Sequence, residues 1–211
     1  EDLLNVSRIE HGRLEIVYEK AQVEPIIEGV VNELSVQAKQ KGIDFIFQPP
    51  KKKLPPLLID EKRLKQILIN IIGNSIKYTP EGEVKVTAKL VNDGKSVEIR
   101  CADTGMGMTQ KEREKLFQKF YRVKSNSSSG IKGTGLGLWI TYQLIQLMRG
   151  DIEVDSIKGV GTQMAITFPV VDEKEMDKVL KKQDEKIKDE AKGSRPDTPK
   201  NPYPAEEEEE E

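Results

Sequence analysis

At 211 residues with 36% apolar side chains, the chain can build one ordinary core with appendages but not two domains of equal size. Its formal net charge of -2 is unevenly placed: residues 172–211 hold 15 acidic and 9 basic side chains, whereas residues 1–171 sum to +4 with Lys and Arg scattered, which excludes a nucleic-acid-binding stripe. The single cysteine, Cys101, excludes an internal disulfide and fits a reducing compartment. The longest apolar stretch, residues 67–72, is broken by Asn70 and is too short to cross a bilayer, so no membrane segment is expected here.

Along the chain, Leu3, Leu4, Val6 and Ile9 have the spacing of a helix ending near Gly12, and because a domain seldom starts within a helix, the preceding helix is expected to lie outside this chain. Residues 13–18 alternate like a short strand. Glu24-Pro25 opens a helix predicted to stop at Gly42. Strands are predicted at 43–48 and 57–59, and Asp60 is placed to cap a helix running to Thr79. Val84, Val86, Ala88 and Leu90, then Val97, Ile99 and Cys101, alternate on either side of Asn92-Asp93-Gly94, the signature of a β-hairpin. A polar stretch from 104 to 134 follows, with a short helix predicted at about 110–120. A helix at 135–148 and strands at 151–155 and 162–169, joined by a Gly159-Val160-Gly161 turn, complete the body. Helices and strands mix without strict alternation, which predicts an α+β two-layer sandwich with helices on one face of a mostly antiparallel sheet. Three segments are expected: 1–12, the end of a helix; 13–171, one domain; and 172–211, a charged tail with at most a marginal helix around Met176, Val179, Leu180 and Ile187.

The helix from Asp60 to Thr79 carries the first chemical signal. Leu64, Ile67, Leu68, Ile71, Ile72 and Ile76 share one arc, and Arg63, Gln66, Asn70, Gly73, Asn74, Lys77 and Tyr78 the other. A solvated face is the ordinary reading. Two asparagines four residues apart, flanking a glycine, are poor helix formers, however, and suggest that something approaches closely between them. A carboxamide oxygen suits Mg²⁺, which takes most of its oxygens from phosphates and water. Lys77 could meet phosphate, and Tyr78 offers a ring to a purine. Asp103, at a strand end before Gly105 and Gly107, could accept a hydrogen bond from an adenine amine. Gly133-Thr134-Gly135-Leu136-Gly137-Leu138 opens a helix, and free N–H groups there suit polyphosphate; the spacing is neither that of a dinucleotide fingerprint nor that of a P-loop.

Taken in order, Asn70-x-x-x-Asn74-x-x-Lys77-Tyr78, Asp103-x-Gly105-x-Gly107, Phe117-x-x-Phe120-Tyr121-Arg122, Gly133-x-Gly135-x-Gly137 and Gly159-x-Gly161-Thr162 resemble the N, G1, F, G2 and G3 boxes of sensor histidine kinases, members of the Bergerat-fold ATPases. Ser7-Arg8-Ile9-Glu10 before Gly12 resembles the end of that family's dimerisation and phosphoacceptor hairpin. The resemblance implies ATP and Mg²⁺ as ligands, with Asn74 the metal ligand and Asn70, Lys77 and Arg122 acting on the phosphates. It further implies that Tyr78 and Asp103 meet the adenosine moiety, that Gly105, Gly107 and Thr162 shape that end, and that the segment Gly133 to Leu138 cradles phosphate. Residues of about 106–134 correspond to a mobile lid, anchored by Phe117 and Phe120, for which core packing is the competing reading.

The same resemblance implies the partners and the reaction. The hydrolytic branch of the superfamily has a water-activating glutamate where Asn70 stands, so a histidine is the expected phosphoryl acceptor rather than water. The resemblance places that histidine on the protein's own dimerisation/phosphoacceptor domain, in a homodimeric parent that acts in the cytoplasm and can be membrane-tethered. The phosphoryl group then passes to a response-regulator receiver domain. His11, the only histidine, reads as a helix-terminal surface residue. Two rival readings are a regulatory nucleotide-binding module without transfer and a serine kinase of the anti-sigma type.

Overall fold

The structure is a computed structural model describing residues 2–123 and 133–193. Helix α1 (Asp2–Glu10) ends before Gly12, whose φ of +62° turns the chain. Residues 13–18 do not form the expected strand; only β1 (Glu19–Ala21) pairs, antiparallel with β3 (Leu57–Ile59). The reason is visible in the backbone partners. Asp60 Oδ2 accepts the Val17 N–H at 3.0 Å, and Gln183 takes both the N–H and the C=O of Tyr18 at 2.8 and 2.9 Å, so side chains supply what a neighbouring strand would have supplied.

Helix α2 (Val23–Lys41) buries Val23, Ile27, Val30, Leu34 and Ala38 along one stripe. Pro25 falls in its first turn, where a missing N–H costs no helical hydrogen bond. Gly42, left-handed at φ 70°, ends it by donating to the carbonyls of Ala38 and Lys39. Helix α3 (Glu61–Tyr78) starts where Asp60 accepts the Arg63 N–H at 3.0 Å, and it buries Leu64, Ile67, Leu68, Ile71, Ile72 and Ile76, the predicted apolar arc, together with Ser75.

Strands β2 (Asp44–Gln48), β4 (Glu83–Val91), β5 (Ser96–Asp103), β6 (Asp151–Ile157) and β7 (Gly161–Pro169) form one sheet in the order β2-β4-β5-β7-β6. Only the β2–β4 pairing is parallel. The β4–β5 hairpin turns at Asn92, Asp93 and Gly94, all with positive φ, as the motif requires. Inward-facing Val84, Val86, Val97, Ile99, Ile166 and Phe168 pack beneath α2, α3 and α5 (Gly137–Leu147). The molecule is thus the α+β two-layer sandwich expected from the order of its elements.

Two predicted helices differ. The one at 110–120 reduces to α4 (Gln110–Arg113), a single turn closed by a Thr109–Glu112 capping box. The chain then turns so that Leu116 is buried and Phe117 packs on Tyr142 at 5.2 Å. Residues 124–132, the centre of the expected lid, lie outside the described residues. After residue 171, where the sequence predicts at most a marginal helix in a charged, disordered tail, α6 (Glu173–Gly193) is a helix of 21 residues. Met176 is 3% exposed, and Gln183 clasps Tyr18, so a short apolar stripe and one amide dock a helix whose other faces are charged. Residues 194–211 lie outside the described residues.

Candidate functional site

The polar face of α3, the ends of β5 and β7 and the loop entering α5 enclose a cavity of about 240 Å³. It is lined by Asn70, Asn74, Lys77, Tyr78, Asp103 and Gly107, and also by Arg122, Gly133, Thr134, Gly135, Gly137, Leu138 and Thr162. Segments between 70 and 162, read separately in sequence, therefore converge. Gly105 and Leu136 do not line the cavity. Gly105 sits behind Asp103, where a Cβ would come within 2.5 Å of the Tyr78 carbonyl oxygen, and the Leu136 side chain is buried in the core.

At one end, Asp103 Oδ1 accepts the N–H groups of Gly105 and Thr162 at 3.0 and 3.1 Å, and the carboxylate also takes a hydrogen bond from Ser75. Burial nevertheless holds its pKa above the usual carboxylate value, because these bonds do not fully replace water. Ser75 is in turn hydrogen-bonded by the Cys101 thiol, whose pKa burial pushes up to about 12. The Thr162 hydroxyl lies 2.9 Å from that of Ser156, which also accepts the Met108 N–H at 2.8 Å. Sequence reasoning missed Ser75, Met106, Met108 and Met164, which line this end. Ser75 falls on the buried arc of α3, and isolated methionines carry no periodic signal; only the fold brings them to Asp103.

At the other end, Asn70 Nδ2 donates to Thr141 Oγ1 at 2.8 Å, and Asn74 Nδ2 donates to Asn70 Oδ1 at 3.4 Å. That bond uses the NH₂ of Asn74 and leaves its carbonyl oxygen out of the pair. Asn70 is therefore also a strut between α3 and α5. A Cβ on Gly137 would lie 2.7 Å from Asn70 Oδ1, so the close approach to the asparagines is made there by the start of α5. Gly73 itself faces open space: a Cβ on it would meet nothing within 4 Å, so no described part of the protein crowds this glycine. The first hydrogen bond of α5 runs from Ile140 N–H to Leu136 O, so the amides of residues 137–139 have no partner within the helix, and the positive end of its dipole is at the cavity.

Burial lowers the Lys77 pKa and the neighbouring Arg122 charge lowers it further, a pair of like charges that an anion between them would relieve. Gly133 runs against Lys77 Nζ, 3.4 Å from where a Cβ would stand. Gly135, at φ +74°, lies on the Phe120 backbone and accepts its N–H at 2.9 Å. Phe120 is tied down through this backbone bond while the residue is 65% exposed, whereas Phe117 is partly buried against the core, so of the two expected anchors only Phe117 packs by its side chain. Thr134 Oγ1 donates to Asp2 at 3.1 Å, which brings the start of α1 to the cavity rim.

Among the described residues no cluster of three His, Cys, Asp or Glu side chains could hold a metal ion. A cation here would rest on an amide oxygen and on the phosphates of its ligand, a donor set that suits Mg²⁺ and that Asn74 fits. Also among the described residues, no helix is long and apolar enough to cross a membrane.

Comparison with known proteins shows the family. The family described as "Histidine kinase-, DNA gyrase B-, and HSP90-like ATPase" matches residues 59–172. The virulence sensor protein BvgS of Bordetella bronchiseptica is 34% identical over 78% of this chain, and the sensor histidine kinase WalK of Bacillus subtilis 33% identical over 83%. The chain spans only 14% and 29% of those two proteins. The full-length ShkA structure in complex with AMPPNP superimposes with a TM-score of 0.70 at 32% identity, over 80% of this chain and 34% of that one. The nucleotide-free catalytic domain of the histidine kinase ThkA shares the fold, with a TM-score of 0.62 at 24% identity. The chain belongs to the histidine kinase-, DNA gyrase B- and HSP90-like ATPase family, within which it is a histidine-kinase catalytic, ATP-binding domain.

Proposed function

We propose that this domain binds Mg-ATP in the cavity described and transfers the γ-phosphoryl group to a histidine of the protein's own dimerisation and phosphoacceptor domain, for relay to the aspartate of a response-regulator receiver domain. The observation that carries the reading is one cavity with a half-buried carboxylate at one end and two cations, two carboxamides and a glycine-opened helix N-terminus at the other. Adenine fits the first end, its exocyclic amine donating to Asp103 while Met106, Met108 and Met164 supply apolar contact. The triphosphate fits the second, with Lys77, Arg122 and the amides from Gly137 onward neutralising it. Asn74 would hold Mg²⁺ through its carboxamide oxygen, and the ion would supply charge neutralisation at the phosphates.

Phosphoryl transfer asks the protein mainly for positioning and charge neutralisation. The lone pair of a neutral imidazole nitrogen forms the new N–P bond. The bond between Pγ and the β–γ bridging oxygen breaks, ADP leaves with that electron pair, and the imidazolium releases its ring proton. Asn70, held by Thr141, is no base, which supports an acceptor that is already nucleophilic over water. The domain works on the cytoplasmic side, and the parent is a homodimer.

Calorimetry of the chain with Mg-ATP should give a micromolar to millimolar dissociation constant, the range of enzyme nucleotide sites. Asn74→Ala should abolish the Mg²⁺-dependent part. Incubated with its hairpin domain and γ-labelled ATP, the chain should label that domain acid-labilely, and with His11→Gln it should do so equally well. Binding without any transfer would leave a regulatory nucleotide-binding module; label on this chain itself that vanishes with His11→Gln would make His11 the acceptor.

A further inference from the structure

The last turn of α3 supplies Lys77 and Tyr78 to the cavity, and its terminal carbonyls lack partners within the helix. Each of those from residue 75 to 79 has a partner outside the helical ladder. Thr79 Oγ1 donates to Ser75 O at 2.7 Å. The N–H of Met106, just past Gly105, donates to Tyr78 O at 3.1 Å. The other three converge on one group: Lys41 Nζ donates to the carbonyl oxygens of Ile76, Lys77 and Thr79 at 2.7, 3.0 and 2.9 Å.

An ammonium has three donors, and here three carbonyls take them. Its charge also faces the negative end of the α3 dipole. Lys41 reaches this position because it is the last residue of α2, immediately before left-handed Gly42 redirects the chain, so its side chain leaves α2 toward the end of α3. Three charge-assisted bonds at one point are a rigid clamp, stronger than neutral hydrogen bonds of the same number. A lysine serving only solubility would have its nitrogen in water. This nitrogen is instead drawn partly out of water, and burial lowers its pKa.

We propose that Lys41 is a positioning residue of the nucleotide site: its ammonium fixes the end of α3 so that Lys77 and Tyr78 stand over the cavity and the Tyr78 carbonyl is presented to Met106. It does not line the cavity, and the inference rests on the reading of the cavity as an Mg-ATP site. Freed of the clamp, the turn frays, and the two side chains and the start of the lid lose their common frame.

The test uses the chain as it stands. Lys41→Met keeps the length of the side chain and removes the ammonium; its dissociation constant for Mg-ATP should rise roughly tenfold while far-UV circular dichroism at the assay temperature stays that of the unsubstituted chain. Lys41→Cys treated with bromoethylamine regenerates a lysine isostere and should bind within roughly twofold of the unsubstituted chain. The same variant treated with iodoacetamide gains bulk without charge and should remain weak. Cys101 is buried with its thiol pushed up to about 12 and stays unmodified, which mass spectrometry of the treated parent chain checks. Lys41→Met binding as tightly as the parent, or equal rescue by both reagents, overturns the proposal, and the two adducts decide it even if Lys41→Met does not fold. Failure of the unsubstituted chain to bind Mg-ATP would be seen before any variant is made and would strike the functional reading itself.

Discussion

Asp103 carries a cost in the folded state. Its pKa is raised above 3.8, so the protein favours the protonated form relative to the unfolded chain, and stability is lost as pH rises from about that value through the higher folded one. At neutral pH the penalty is in full force, as expected of a carboxylate kept for recognition. Asp103→Asn should therefore be no less stable than the parent at pH 7, because an amide oxygen can still accept from Gly105 and Thr162. Any gain should fade as pH falls through the raised pKa toward 3.8, and thermal melts across pH 3 to 8 would show it. The same variant presents a donor where adenine requires an acceptor, so competition between ATP and GTP should lose its preference for ATP. Unchanged discrimination would mean that the purine is read elsewhere. At the phosphate end, burial and then the Arg122 charge lower the Lys77 pKa, so the two cations act on one another there as well.

At the scale of an element, the glycines around the cavity are not alike. Gly73 lies inside α3 with open space around it, so Gly73→Ala should stabilise the fold by about 0.5–1 kcal/mol through helix propensity and leave Mg-ATP affinity unchanged. Gly135 has φ +74° and the Phe120 backbone 2.8 Å from where a Cβ would stand, so Gly135→Ala should destabilise by roughly 2–4 kcal/mol and move the entry to α5. Urea unfolding of both variants reads the opposite signs. A destabilised Gly73→Ala, or a neutral Gly135→Ala, would contradict the packing described. The spacing G-x-G-x-G thus combines two needs: Gly135 for a left-handed backbone and Gly137 for the approach of α5 to Asn70.

Across the whole molecule, the reciprocal Gln183–Tyr18 pair ties α6 to the stretch between α1 and β1, and Met176 of the same helix is buried. Met176→Ala should cost about 2–4 kcal/mol and Gln183→Ala about 1–2, measured by urea unfolding, whereas losing the exposed Lys186–Glu15 pair should change little. If both variants were neutral, α6 would not be docked in solution. Local chemistry was legible in the sequence wherever its cause spans a few residues: the Asp60 cap, the amphipathic division of α3 that puts Asn70, Asn74, Lys77 and Tyr78 on one face, the Asn92-Asp93-Gly94 turn and the glycines opening α5. The motifs marked which segments would meet at the cavity, but not how. Strand order, the parallel seat of β2, the side-chain partners that replace a strand at residues 13–18, the docking of α6, the Ser75 hydroxyl beneath Asp103 and the Lys41 clamp were settled only by tertiary structure. In each of these a backbone or side-chain group finds its partner far along the chain, as Tyr18 finds Gln183 at a separation of 165 residues, and propensity, which acts within a turn or two, carries no information about such a partner.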